Sequence, residues 1–227
     1  MSWLGDIRKR QPGRELWRIA LWQAMQAVCF LVVWLLYRHR SWGVRHIPAE
    51  GPVLFAANHQ SFFDPMVIGA GASKRHFFAL GRSTLYDHWF LGTLADATNS
   101  IPVEQGSGDV KAMKKCIEVL KDRQALLIFP EGARSYDGRI QPFETGTMLI
   151  IKRAKPQVVP VALDGVGDAW KRGEKRPRLW GPKVGVRFGE PIPAERLTAM
   201  KPDAAMAHLR DRVEDLRRQV DEQLKRL

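Results

Sequence analysis

Apolar and polar positions alternate along this chain in a way that lays out its elements before any composition is considered. From Ile19 to Tyr37 the run IALWQAMQAVCFLVVWLLY holds no charged residue, and only Gln23 and Gln26 break its apolar character. Its length approaches the roughly 20 residues needed to cross a bilayer core, and it sits too late and runs too long for an ordinary signal peptide. Beyond it, short apolar runs alternate with helical stretches. Val53 to Ala57, His76 to Leu80, Ala125 to Phe129, Val158 to Leu163 and Val184 to Phe188 read as strands. Pro65 to Ala72, Val110 to Lys121 and Gly146 to Ala154 read as helices, and the order predicts an α/β fold. Its sheet is mixed and largely parallel, flanked by helices, with an N-terminal membrane-associated helix. From Asp203 onward, Met206, Leu209, Val213, Leu216, Val220 and Leu227 recur at spacings of three and four, which predicts an amphipathic helix laid against its own domain.

These patterns divide the chain into an N-terminal membrane anchor over 1–41, a catalytic domain over 42–200 and a C-terminal amphipathic helix over 201–227. Arg8, Lys9, Arg10, Arg14 and Arg18 precede the apolar run, and Arg38, Arg40 and Arg45 follow it. Both ends therefore look cytoplasmic, which favours a helix dipping into one leaflet, or a tilted anchor, over a clean single span. Trp3, Trp17, Trp22, Trp34 and Trp42 suit interfacial anchoring. The expected location is the cytoplasmic face of the inner membrane.

With 227 residues and a formal charge of +12, the chain can bury one sizeable core and calls for an anionic partner. Trp170, Lys171, Arg172, Lys175, Arg176, Arg178, Trp180 and Lys183 interleave basic and aromatic residues. That pattern fits nucleic acid or an anionic lipid surface, and the apolar run argues for lipid. Cys29 and Cys116 offer neither a disulfide framework nor metal-ligand spacing, and the six histidines form no metal motif. No metal is expected.

Two segments follow directly on buried strands. After VLFAA come Asn58, His59, Gln60, Ser61, Phe62, Phe63, Asp64 and Pro65. A histidine released at the carboxyl edge of a sheet can act as a base if a carboxylate orients its second nitrogen, and Asp64 can curl back to do so. Ser61 is placed to cap the helix that follows. After ALLI come Phe129, Pro130, Glu131, Gly132, Ala133, Arg134 and Ser135, a turn that offers amides and a guanidinium to an oxyanion or phosphate. Taken alone, Glu131 and Arg134 also read as a surface ion pair.

In order and spacing these blocks, from about Trp42 to Pro193, resemble the lysophosphatidic acid acyltransferase family of glycerolipid acyltransferases. His59 and Asp64 resemble its His-x4-Asp block. Phe129 to Ser135 resembles its Phe-Pro-Glu-Gly-Thr-Arg-Ser block, with Ala133 for threonine, and Val159, Pro160 and Val161 resemble its valine-proline strand. The resemblance implies acyl transfer from acyl-CoA or acyl carrier protein, as co-substrate, to a lysophospholipid hydroxyl, with no permanently bound cofactor and no covalent enzyme intermediate. His59 and Asp64 would be catalytic. Arg134, Glu131, Gly132, Arg82 and Ser135 would bind substrate, and Val159 and Pro160 would shape the acyl pocket. Gln105 stands where the family usually has arginine, and Glu144 and Thr145 precede Gly146 where a basic residue is common. Both changes remove positive charge, so lysophosphatidic acid competes with a less anionic lysolipid as acceptor. A hydrolase or acyl-binding scaffold on the same fold, and a basic nucleic-acid-binding protein, are the remaining readings.

Overall fold

The computed structural model describes residues 12–13, 15–72, 75–87, 89, 99–103 and 110–227, with Arg82 and Leu85 described by backbone alone. Gln105 and the basic residues before Glu15 lie outside the described residues, as does Trp3. Helix α1 covers Leu16–Tyr37, followed by β1 Arg40–Trp42, a 3-10 turn, β2 Val53–Ala57 and α2 Asp64–Gly71. Next come β3 Phe77–Arg82, β4 Ser100–Val103, α3 Val110–Lys121, β5 Ala125–Ile128, α4 Gly146–Ala154 and β6 Gln157–Asp164. The chain closes with α5 Val166–Ala169, β7 Gly185–Phe188, β8 Ile192–Pro193, α6 Ala194–Thr198 and α7 Pro202–Lys225.

The strands form one sheet in the order β1-β7-β6-β2-β5-β3-β4, with β8 also on β6. β2 lies at its centre, parallel to β5 on one side and to β6 on the other. β7 and β8 run antiparallel to β6. Every residue of β2 and β5 is buried, because helices cover both faces of the sheet. Leu54, Ala56, Leu126, Ile128, Val158 and Ala162 meet α3, α4 and α7. Val53, Phe55, Ala57, Leu127, Val159 and Val161 meet α1 and α2.

α1 begins one turn earlier than the apolar run suggests and does not project away from the domain. The Trp22 ring stacks on His76 at 4.1 Å, the Gln26 amide donates to the Gly69 carbonyl at 2.6 Å, and Val33 and Tyr37 are buried. Those contacts spread over about 22 Å of the helix axis, at about 1.5 Å per residue. Leu16, Trp17, Val28, Phe30, Leu31, Trp34 and Leu35 remain exposed on the rest of its surface. α7 buries Met206, Leu209, Val213, Leu216 and Val220 against its own sheet, with Leu224 completing the stripe in place of the exposed Leu227.

β1 and β8 are too short to carry a pattern, and with β4 they add strands the periodicity does not show. Arg75 is another feature the pattern hides. It is buried, and its guanidinium donates to the carbonyls of Ala49, Gly51 and Arg123, the last at 2.9 Å. Arg75→Ala removes three hydrogen bonds of a buried guanidinium, each worth about 1 kcal/mol, so the fold should lose about 3 kcal/mol. Arg75→Met, which keeps most of the volume, should lose nearly as much in denaturant unfolding; full recovery by Met would assign the role to packing.

Candidate active site

β5, β2 and β6 are parallel neighbours, so the loops that leave their carboxyl ends meet at one edge of the sheet. Asn58 ties two of those ends together. Its amide donates to the Leu163 carbonyl at 3.0 Å and accepts from the Leu163 amide at 2.8 Å. The chain then turns through 59–63 into α2, whose first residue is Asp64 and whose second is Pro65, which suits a first turn.

That turn brings His59 and Asp64 together. His59 Nδ1–H donates to Asp64 Oδ2 at 2.7 Å, and the amides of Gln60 and Ser61 donate to the same oxygen at 2.6 Å and 2.9 Å. The Asp64 side chain is fully buried while that of His59 keeps 20% exposure, so the imidazole bridges the interior and the surface. Burial pushes the Asp64 carboxyl up, and the His59 contact and the two amides oppose it. Phe129, the first residue after β5, stacks on the imidazole at 3.9 Å and fixes its plane.

Glu131 is not a surface partner of Arg134. Both its oxygens are taken by backbone amides, Oε1 by His59 at 2.7 Å and Oε2 by Gln141 at 2.8 Å. Ser135 completes the tie, its amide donating to the His59 carbonyl at 2.9 Å. Gly132 takes φ of +70°, and a Cβ there would overlap the Glu144 carboxylate, so this turn needs glycine and brings Glu144 against it. The Arg134 guanidinium lies 3.5 Å over the Phe62 ring, and its carbonyl accepts from Arg172.

Ser61 differs from the capping role expected of it. Its hydroxyl donates to the Trp170 carbonyl at 2.9 Å and accepts the Phe63 amide at 3.3 Å just before α2, while Asp64 collects the amides of Gln60 and Ser61. Ser135, Gln60, Asp164, Lys171, Arg172 and Arg217 line a cavity of about 290 Å³ beside the dyad. Arg217 reaches it from α7 and pairs with Asp164 at 3.2 Å. Sequence reasoning missed Asn58, Gln60 and Arg217; the first two at least follow directly on a buried strand.

Val159 and Pro160 lie mid-strand, on opposite faces of the sheet. Val159 pairs with Phe55, four residues before His59, which sets it about 13 Å back along the strand direction at about 3.3 Å per residue. Arg82 ends β3 opposite Val103, and its side chain lies outside the described residues.

Residues 38–164, more than half of the chain, match the family model described as Acyltransferase. The chain belongs to that family. Among curated acyltransferases, a chloroplastic 1-acyl-sn-glycerol-3-phosphate acyltransferase of Brassica napus is 26% identical over 146 residues. That match takes in 63% of this chain and 42% of the relative, so the chain spans less than half of that relative's length. A 1-acyl-sn-glycerol-3-phosphate acyltransferase of Bacillus subtilis is 23% identical over 180 residues, covering 78% of this chain and 87% of the relative. The crystal structure of the 1-acyl-sn-glycerophosphate acyltransferase PlsC from Thermotoga maritima superposes with a TM-score of 0.72 at 21% identity. It covers 96% of this chain and 87% of that one, and it shares the mixed sheet, flanking helices and N-terminal apolar helix.

At this sheet edge, burial pushes the Glu131 carboxyl up to about 7, against the opposing amides of Gln141 and His59. A carboxyl raised in the fold favours the folded state at low pH, and that contribution falls away between its ordinary value of 4.5 and about 7. Wild-type stability in detergent should therefore decline relative to Glu131→Gln as pH rises from 5 to 8. Thermal unfolding across that range checks it; parallel curves would show that the carboxyl does not titrate there.

Proposed function

We propose that the protein transfers a fatty acyl group from acyl-CoA or acyl carrier protein to the free hydroxyl of lysophosphatidic acid, giving phosphatidic acid. The observation that carries this reading is the 2.7 Å contact of His59 with the buried Asp64 at the carboxyl edge of the sheet. It commits Nδ1 and leaves Nε2 to take a proton. The acceptor hydroxyl gives its proton to Nε2 as its oxygen attacks the thioester carbonyl. The new C–O bond forms, the C–S bond breaks, and the imidazolium returns the proton to the leaving thiolate. Asp64 stabilises that imidazolium without being protonated itself.

In this reading residues 42–200 carry the chemistry, 1–41 hold the membrane and 201–227 brace the sheet. Arg134 grips the acceptor phosphate with Arg82 assisting, Gly132, Glu131 and Ser135 shape the loop, and Val159 and Pro160 set the depth of the acyl pocket. α1 is the one helix among the described residues long and apolar enough to cross a membrane. Its contacts with the domain run along most of its length, so a span would carry the domain into the lipid. This favours a helix lying in the interface of the cytoplasmic leaflet, its exposed apolar side in lipid.

The Glu144 carboxylate against Gly132 favours a second reading, a lysolipid whose phosphate is masked by its head group. Labelled acyl-CoA with a panel of lysophosphatidate, lysophosphatidylglycerol, lysophosphatidylethanolamine and lysophosphatidylcholine separates the two. Thioester hydrolysis with no labelled lipid would replace both with a hydrolase.

His59→Ala should lower kcat by about 10² to 10⁴, the usual contribution of a general base, without unfolding the protein. Asp64→Asn should be nearly as damaging, since an amide lacks the charge that stabilises the imidazolium. Retention of more than about a tenth of the activity by His59→Ala would remove it from its role. Arg134→Ala should raise the acceptor KM and leave the donor KM unchanged, because a charge-assisted contact to phosphate acts on the acceptor alone. The reverse split would turn this arginine toward the donor.

A further inference from the structure

Residues 171–183, between α5 and β7, begin at the cavity with Lys171 and Arg172 and then leave the catalytic edge onto which they are built. The Trp170 carbonyl accepts from the Ser61 hydroxyl at 2.9 Å, and its ring packs against Phe62 and Phe63 at 5.4 Å and 5.0 Å. Phe63 in turn meets Tyr37, near the end of α1, at 5.8 Å. At the far end of the segment the Val184 amide donates to the Tyr37 carbonyl at 3.0 Å. Both ends of the loop are thus fastened to the carboxyl end of α1 and to the loop that carries His59. Within it, the Arg178 amide donates to the Ala169 carbonyl at 2.8 Å, and the Trp170 indole donates to the Glu174 carbonyl at 2.9 Å, so the segment is an ordered projection.

What it projects is unusual for a solvated loop. Leu179 and Trp180 at its tip are 59% and 77% exposed, and Trp180 takes φ of +58°, a conformation that costs energy for a bulky residue. The segment carries Lys171, Arg172, Lys175, Arg176, Arg178 and Lys183 against the single carboxylate Glu174, which pairs with Arg178 at 3.3 Å, while Arg172 donates to the Arg134 carbonyl and Lys183 to that of Leu224. Lys171, Lys175 and Arg176 are exposed and enter no ion pair among the described residues. Within one turn of Tyr37, Trp34 and Leu35 of α1 are exposed, and Phe62 is half exposed beside Arg134. Through Trp170, Phe63 and Tyr37 this segment, the loop bearing His59 and the end of the apolar helix are held together.

We propose that residues 171–183 are a second membrane contact, with Leu179 and Trp180 entering the interface and the surrounding cations binding anionic lipid headgroups, so that the loop seats the mouth of the site on the bilayer. An exposed leucine-tryptophan pair on a loop fastened to the end of α1 suits a lipid interface, where an apolar residue leaves water and each cation gains from a negative surface potential. Single-stranded nucleic acid would stack a base on Trp180 but would leave Leu179 and the neighbouring apolar helix in water. The proposal rests on the membrane reading of α1 and not on acyl transfer.

Hydrogen exchange of the full-length protein, on vesicles of phosphatidylcholine alone and of equal parts phosphatidylcholine and phosphatidylglycerol, needs no turnover and so tests it separately. The amides of 171–183 should be protected only on the anionic vesicles, with α1 protected on both. Lys175→Ala/Arg176→Ala should abolish that added protection and lower partitioning onto anionic vesicles about 25-fold, at about fivefold per basic residue. Leu179→Ser/Trp180→Ser should weaken it, and raised salt should mimic the charge variant as the Debye length falls below about 8 Å. Unchanged exchange in β6 and α7 serves as the folding control. Equal exchange of 171–183 on both vesicles while α1 is protected overturns the loop's role alone. Protection by RNA but not by phosphatidylglycerol overturns it in favour of nucleic acid, and loss of α1 protection as well overturns the membrane reading of both.

Discussion

The buried carboxylate of Asp64 is the constraint around which this edge of the sheet is built. An ionised group without solvent is costly, and here it is made tolerable by three donors converging on one oxygen, His59 Nδ1 and the amides of Gln60 and Ser61. The carboxylate also starts α2, where the helix dipole favours negative charge. To bring those donors together the chain must leave β2 at Ala57, turn within six residues and enter a helix at Asp64. The rest of the loop follows from that turn: His59 is held with one nitrogen inward, and Ser61 binds the Trp170 carbonyl and the Phe63 amide.

A second tie keeps the turn from being a property of one loop. Glu131 spans two strand ends, taking the His59 amide with one oxygen and the Gln141 amide with the other. The Ser135 amide binds the His59 carbonyl in return, so the loop after β5 grips the loop after β2 on both sides of the same residue. The stacked Phe129 ring adds a third constraint on the imidazole plane. Preorganisation of this kind is what a general base requires, since a misplaced imidazole loses rate faster than it loses binding.

Most of this was legible in the sequence where period and position carry the information. The buried runs VLFAA and ALLI mark β2 and β5 because both faces of a central strand are apolar, and α3 and α4 begin and end where their patterns do. His59 with Asp64 and the Glu131 to Arg134 turn stood out because each follows such a run directly. Other features were illegible for definite reasons. β1 and β8 have only three and two residues, and β4 is no shorter than β5, but its serine and proline break the apolar run that marks the latter. Arg75 looks like a surface charge in sequence, since its three carbonyl partners come from distant loops. Glu131 and Arg134 are spaced like an ion pair, and only the fold reveals that backbone amides claim the carboxylate first.

The same logic explains why α1 cannot be treated as an appendage. A helix that merely anchored a soluble domain would share a short junction with it, but here Trp22, Gln26, Val33 and Tyr37 pack along the domain. The helix therefore has two apolar sides with different solvents, one filled by α2 and β3, the other open. An apolar surface so long is stable in water only if lipid or another chain covers it. The packed side ends at Tyr37, beside Phe63 and the loop bearing His59, so the end of α1 and the His59–Asp64 edge are held as one piece of the fold.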